Sequence, residues 1–445
     1  MSKQPISGKK ISRVKHPASN PVVPKKVILN SGLEVLLIPL HETRAVTALI
    51  LVKAGSEYEK KEINGISHFL EHMCFKGTTK RPTAKEISTL MDGLGANFNA
   101  FTSQEHTGYY VKVDERHLDT ALDVISDIYL NPLFSETEIE KEKGVIIEEI
   151  NLEEDTPTSQ IYDVLLKLLY DDQSAGWKVS GEKETVKKIK RMDLIDYARN
   201  NYTAKKTLVV ISGKFDEKKV ITFLEKQFVH ISNRVGLIKP KIKDQQSTPR
   251  FAVKFKKSDQ AHLILGVRAF SRLDNRRHAL SILSVILGQG MSSRLFQKIR
   301  EDMGAAYYVS SVTDLSQDHG FFGVAAGVAL AKVDETIKVI QQEFKRIILE
   351  PPSQTEIQKA KDYLKGKITL GLEGSDDYAF FYGTQYIYYK KVFSLDEVFK
   401  QIDSVNVAMI QNLARELFNS KILNLAILGP FKKKDEKRFK KLLKL

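Results

Sequence analysis

With 445 residues, 42% of them hydrophobic and 28% charged, the chain has the composition of a soluble globular protein of two or more domains, and disorder as a whole is excluded. The formal charge of +14 sits at the two ends: residues 1–30 carry seven basic and no acidic side chains, and residues 431–445 carry eight basic against two acidic. The body between them is nearly neutral, and no RNA-reading module or zinc-finger spacing accompanies the basic ends, so nucleic acid is not an expected partner.

In chain order, residues 1–26 read as a Lys/Pro-rich basic arm without the apolar stretch of a secretory signal. Strands are expected at 33–38, 45–53 and 106–113, the last preceded by a polar, turn-prone stretch over 99–105. Helices are expected near 65–75, 84–92, 115–130 and 136–154. Thr83 with Glu86, and Ser135 with Glu138, stand in capping-box relation, and Gly93 ends the second helix. A repeat emerges further on. LVVISGKF at 208–215 matches LAILGPF at 425–431, with Gly213 and Gly429 216 residues apart, and the apolar strands around Leu49 and Leu265 keep that separation. The chain thus divides into one unit over 27–230, a polar linker over 231–247, a second copy over 248–431 and a basic tail over 432–445. Both copies read as α+β, a mainly antiparallel sheet with helices packed on one face and the other face free to line a cavity. The lone cysteine, Cys74, permits no internal disulfide, and no run approaches a membrane span; a cytoplasmic, membrane-free protein is expected.

The string with the most chemistry in it is His68-Phe69-Leu70-Glu71-His72. On a helix, residues four apart share a face, so His68 and His72 can offer imidazole nitrogens to one metal ion. Glu71 beside them is placed to take a proton from an activated water. The order is the reverse of HExxH. A catalytic zinc needs a third protein ligand, and the 136–154 segment offers Glu142, Glu148 and Glu149, among which spacing does not choose.

The string from His68 to Thr78, with Gly55-Ser56, Glu59 and Gly65 before it, resembles the core of the pitrilysin or insulinase type of metallopeptidase, the inverted zincins of family M16. It is most similar to the small members that include the mitochondrial processing peptidase β subunit and bacterial processing-peptidase-like proteins. The resemblance implies one Zn2+ per chain on His68, His72 and Glu149, with Glu71 as general base, Glu142 as an assisting carboxylate and Glu148 pointing elsewhere. Gly95-Ala96-Asn97-Phe98-Asn99-Ala100-Phe101-Thr102 matches the family segment that lies along the bound peptide, which implicates Asn99, Ala100 and Phe101 in substrate binding. In the second copy, Arg300 and Tyr307 match residues that contact substrate backbone and the tetrahedral intermediate. Read from the residues alone, they would be a helix ion pair and a core aromatic.

The implied activity is zinc-dependent endopeptidase cleavage of short or unstructured peptides. Large relatives join four such units in one chain, so a two-unit chain is expected to form a homodimer with a closed chamber, Arg300 and Tyr307 crossing to the partner's zinc. A heterodimer with a relative lacking the zinc motif is the alternative partner. Two other functions compete: a non-catalytic peptide-binding scaffold or chaperone-like subunit, and an RNA-associated protein acting through basic tails.

Overall fold

The computed structural model describes residues 22–244 and 246–443, so most of the arm expected over 1–26 lies outside the described residues. Its last residues belong to the fold: β1 (Lys25–Ile28) pairs antiparallel with β2 (Glu34–Pro39), and the Tyr382 hydroxyl donates to the Val22 carbonyl. The first half therefore begins before residue 27. β3 (Ala45–Val52) follows as read. The stretch read as turn-prone departs from expectation, because Asn97–Thr102 forms β4 and only 103–106 turns before β5 (Thr107–Asp114). Asn and Ala have little strand preference of their own, and continuous pairing with β5, Asn99 opposite Tyr110, overrides it. With β6 (Thr207–Gly213) the first sheet has the order β1-β2-β6-β3-β5-β4, which leaves β4 at an edge.

The second sheet comprises β7 (Arg250–Phe255), β8 (Gln260–Ala269), β9 (Ala306–Leu315), β10 (Gly320–Ala329) and β11 (Asn424–Gly429), in the order β7-β11-β8-β10-β9. This is the first sheet without β1, and the parallel pair β2–β6 recurs as β7–β11. One expected equivalence shifts. Leu49 pairs with Val210, and the residue opposite the corresponding Ala426 is Ile264, not Leu265. A one-residue slip in a strand reverses the face a side chain occupies. Leu49 and Ile264 accordingly lie in the smaller clusters behind the sheets, whereas Leu265 lies in the main core of its half.

Helices of each half cover one face of its own sheet. The Ile66–Cys74 and Leu118–Leu130 helices bury Phe69, Met73 and Ile125 against Ala48, Ile50 and Tyr109 in the first half. The Arg277–Gly288 and Val333–Leu349 helices bury Leu283 and Phe344 against Leu265 and Phe322 in the second. The opposite faces, expected to line a cavity, are covered instead. The Ser375–Tyr389 helix of the second half sets Ala379, Tyr382 and Tyr386 on Leu36, Leu49 and Val210 of the first sheet. In return, the Pro157–Tyr170 helix of the first half sets Ile161, Leu165 and Leu169 on Ile264, Ala426 and Leu428 of the second. The strands require this: every residue of β6 and of β11 is buried, and a strand apolar on both faces needs a layer on each. The approach at Gly383 is close enough that a Cβ there would sit 3.1 Å from Leu51 and Val210 side-chain carbons.

Two connecting segments also differ from expectation. Residues 231–244 have no helix or strand, as a linker should, but they are pinned: Lys206 donates to the Leu237 carbonyl at 3.0 Å, and Ile242 is buried. The segment read as a basic tail holds the Glu436–Leu442 helix. Phe439 is fully buried beside Phe431, Gln341 donates to the Leu442 carbonyl at 2.7 Å, and Arg438 pairs with Asp334. Charge counting missed this amphipathic helix, whose lysines flank one anchoring aromatic. Among the described residues no helix is long and apolar enough to cross a membrane.

Because each half supplies a layer to the other, unfolding should be one cooperative event. Leu165→Ala, which empties a fully buried position between the 157–170 helix and the second sheet, should cost about 2–5 kcal/mol. Calorimetry should show a single transition that moves to lower temperature as a whole; a split into two transitions would contradict the interlocking.

Candidate metal centre and peptide edge

The 66–74 helix starts at Gly65, whose φ of +98° and close contact with Ser180 and Gly181 leave no room for a side chain. Glu59 caps this helix, accepting from the Gly65 and Ser67 N–H groups and from the Asn64 amide, each at 2.8 Å. Phe69, Leu70 and Met73 hold the helix in the core, which turns His68 and His72 outward together. The Glu136–Asp155 helix runs beside it, anchored by Ile139, Ile146 and Ile150, and brings up Glu149 and Glu142. Glu148 is exposed.

His68 Nε2 and His72 Nε2 lie 3.2 Å apart, and Glu149 Oε2 is 3.6 and 3.5 Å from them. Three ligands of a tetrahedral zinc, each at ~2.0–2.1 Å, stand roughly 3.3 Å from one another, so the donor set fits that ion. The surroundings shift the two imidazoles in opposite directions. Burial, and then the neighbouring His72, depress the His68 imidazole to about 4, leaving it neutral. Burial also opposes charge on His72, but the Glu142 hydrogen bond and the nearby carboxylates outweigh it and raise its pKa. Glu142 Oε1 is 2.8 Å from His72 Nδ1, and since a carboxylate there can only accept, His72 donates from Nδ1, so that in the neutral ring the lone pair is on Nε2, facing His68 and Glu149. Burial would raise Glu142, yet the hydrogen bonds from His72 and Lys76, the latter at 2.6 Å, hold it below its usual value. Lys76 thus belongs to the site although the sequence reading gave it no role.

Glu71 is half-buried, and burial raises its pKa, offset in part by a hydrogen bond from the Thr102 hydroxyl. Thr102 is the last residue of β4, so the candidate base is tied to the free edge of the first sheet. Thr102 stood in the resemblance string without a function, and only the fold reveals its contact. Asn99 is exposed, Ala100 and Phe101 half-exposed; the Asn99 side chain accepts the Ala100 N–H at 2.8 Å, and Phe101 packs over Gly108 and Phe380 on the opposite face of the sheet from Glu71.

Arg300 and Tyr307 are not brought to this cluster within the chain: among the described residues neither has a hydrogen bond or ion pair with His68, Glu71, His72, Glu142 or Glu149. Arg300 lies on the Phe296–Asp302 π-helix, exposed, its guanidinium 5.1 Å above the Phe296 ring. Tyr307, on edge strand β9, is 76% exposed, which rules out a core role. Cys74 is fully buried behind the motif, pushed up to about 12 by burial, and so is a packed thiol. Glu57, Asp318 and His319 form a second cluster with metal-ligand spacing, but the Lys239 ammonium already stands in it.

Two imidazoles and a carboxylate with a further glutamate alongside make the donor set of a zinc hydrolase, here on duplicated α+β halves. Residues 34–183 match the family model described as insulinase, peptidase family M16, and residues 188–364 match that of the peptidase M16 inactive domain. The chain belongs to peptidase family M16. It is 33% identical over 409 residues to the "uncharacterized zinc protease YmxG" of Bacillus subtilis, covering 91% of this chain and 98% of that one. It is also 33% identical over 405 residues to an "uncharacterized zinc protease" of Rickettsia felis, covering 90% and 96%. Its fold matches the crystal structure of a protease from Helicobacter pylori with a TM-score of 0.85 at 24% identity, covering 92% of this chain and all of that one. A structure described as a peptidase M16 inactive domain, from Pseudomonas fluorescens, matches at 0.84 and 19%, covering 92% and 98%.

Elemental analysis of the purified protein should find one zinc per chain, absent after His68→Ala, His72→Ala or Glu149→Ala and retained after Glu71→Gln. Glu142→Gln should weaken zinc affinity roughly 10–100-fold, read by competition with a chelator, because the His72 ring loses its orienting carboxylate. Full zinc retention in Glu149→Ala would remove that residue from the ligand set.

Proposed function

We propose that the protein is a zinc-dependent endopeptidase acting on short or unstructured peptides, and that it works as a homodimer enclosing the cleavage chamber. The observation that carries the reading is the Thr102–Glu71 hydrogen bond, which joins a carboxylate beside the three-donor cluster to the exposed edge strand β4. A peptide added to that edge is held by main-chain hydrogen bonds with little regard to its sequence, and pairing requires an extended, unfolded segment. The Asn99 side chain, which accepts the Ala100 N–H, must yield to a substrate carbonyl.

Zinc held by His68, His72 and Glu149 would supply Lewis acidity toward the attacking water and the scissile carbonyl. Glu71 takes the proton from that water and returns it to the leaving amine. Thr102 occupies one Glu71 oxygen and leaves the other for the transfer, while its burial keeps the carboxylate basic enough to accept. Glu142, charge-balanced by Lys76, keeps His72 in the tautomer and orientation that binding needs.

Arg300 and Tyr307 complete the site from the partner subunit, Arg300 on the substrate backbone and Tyr307 on the developing oxyanion. Their exposure, and their separation from the histidine pair of their own chain, support this assignment.

Glu71→Gln should lower cleavage of an unstructured peptide library by about 10²–10⁴-fold with zinc still bound. Stoichiometric zinc in a wild-type protein that cleaves nothing sensitive to this substitution would sink the peptidase reading. Mixing Glu71→Gln subunits with Arg300→Ala/Tyr307→Phe subunits should restore activity in one of the two sites of each mixed dimer. Mixtures no more active than the two parents would dismiss sharing across subunits.

A further inference from the structure

Charge grips the linker between the halves at two residues, Asp244, paired with Arg268 at 3.1 Å, and the more deeply buried Lys239. Lys239, its side chain 9% exposed, places its ammonium 2.9 Å from Glu105 Oε1 and 2.5 Å from both Glu57 Oε2 and Asp318 Oδ1. These carboxylates come from three separate segments: Glu57 follows β3, Glu105 closes the β4–β5 hairpin, and Asp318 closes the β9–β10 hairpin. The two turns share one pattern, Ser103-Gln104-Glu105-His106 and Ser316-Gln317-Asp318-His319, each closed by a Ser N–H to His carbonyl bond of 2.9 Å. They also meet directly. The Gln317 N–H donates to both Glu105 oxygens at 3.0 and 3.2 Å, and Asp318 Oδ2 accepts the linker's Ile242 N–H at 2.9 Å. Each turn's histidine packs on a tyrosine of an exchanged helix, His106 on Tyr388 with ring centres 5.6 Å apart and His319 on Tyr170 at 4.8 Å.

Glu57 and Glu105 are almost wholly buried, and buried carboxylates gathered this closely repel one another unless a cation stands among them. Here the cation is covalently part of the linker. Removing it leaves the Glu105 turn facing the Asp318 turn with like charges, and the Glu105 turn begins directly after Thr102, at the end of the β4 edge.

We propose that Lys239 is a positioning residue: by pairing with Glu57, Glu105 and Asp318 at once, its ammonium fixes the β4–β5 hairpin, and with it the peptide-pairing edge, against the second half. The role of the edge rests on the peptidase reading above; the clamp on the hairpin does not.

The test uses the zinc-loaded full chain and two substrates, a long unstructured peptide able to lie along β4 and a short quenched peptide spanning only the scissile bond. Lys239→Met should raise KM for the long peptide by about fivefold or more while kcat/KM for the short one changes less than about twofold. Lys239→Arg should restore the wild-type ratio, and Glu105→Gln should show the same split in weaker form. Amide hydrogen exchange over residues 97–114 should accelerate in Lys239→Met with the 118–130 helix unaffected. If Lys239→Met does not fold, Glu105→Gln carries both measurements. Equal losses on both substrates with hairpin exchange unchanged would overturn the proposal and leave Lys239 a simple linker pin. A zinc-replete wild type that cleaves neither peptide would defeat the peptidase reading separately, and the exchange measurement would still decide the clamp.

Discussion

The 375–389 helix lies on the first sheet and the 157–170 helix on the second, each supplied by the other half of the chain. The exchange answers a constraint set by the strands. β6 and β11 are buried along their whole length, and β3 carries Ala48 and Ile50 toward one core and Leu49 and Leu51 toward another. In neither half do the helices that stay on its own sheet cover both faces, so neither has a complete core alone. The pinned linker, the meeting of the two hairpin turns and the fixed position of β4 all depend on that mutual coverage.

On this scaffold the candidate centre is assembled from elements that are individually rigid. The 66–74 helix is capped by a buried glutamate and anchored by three core side chains, so its two histidines have little freedom. Glu142 receives hydrogen bonds from His72 and Lys76, which keeps a charged carboxylate tolerable at a nearly buried position. Burial of His68 keeps its imidazole unprotonated, and the Thr102 contact places Glu71 within the same electrostatic neighbourhood. Preorganisation of this kind means that the three donors need little rearrangement to hold an ion.

Much of this was legible in the residues. The His68–His72 spacing and the capping box at Thr83 and Glu86 follow local rules that the fold keeps, and the Gly213/Gly429 match reports the repeat, whereas Ser135 makes no side-chain cap and Glu138 pairs with Lys141 instead. The strand at 97–102 was misread because its conformation comes from β5 beside it, a long-range pairing that composition does not carry. The free sheet face was misread for a related reason, since covering it takes a helix from the other half of the chain. Phe439 was hidden by the lysines around it, and Lys239 by a linker whose composition announces solubility. Choosing Glu149 over Glu142 and Glu148 required the family resemblance. The helix then separates the three physically: Glu149 faces both imidazoles, Glu142 stands behind His72, and Glu148 faces solvent.

The exchanged helices give the molecule the architecture of a domain-swapped dimer contained in one polypeptide. A single unit of this kind, with β-strands apolar on both sides and one helix extending outward, could satisfy its sheet by trading that helix with an identical copy. Joining two such copies end to end would convert a concentration-dependent association into an intramolecular one, and either copy could then diverge while the other kept it folded. The histidine pair present in one half and missing from the other is what that freedom permits.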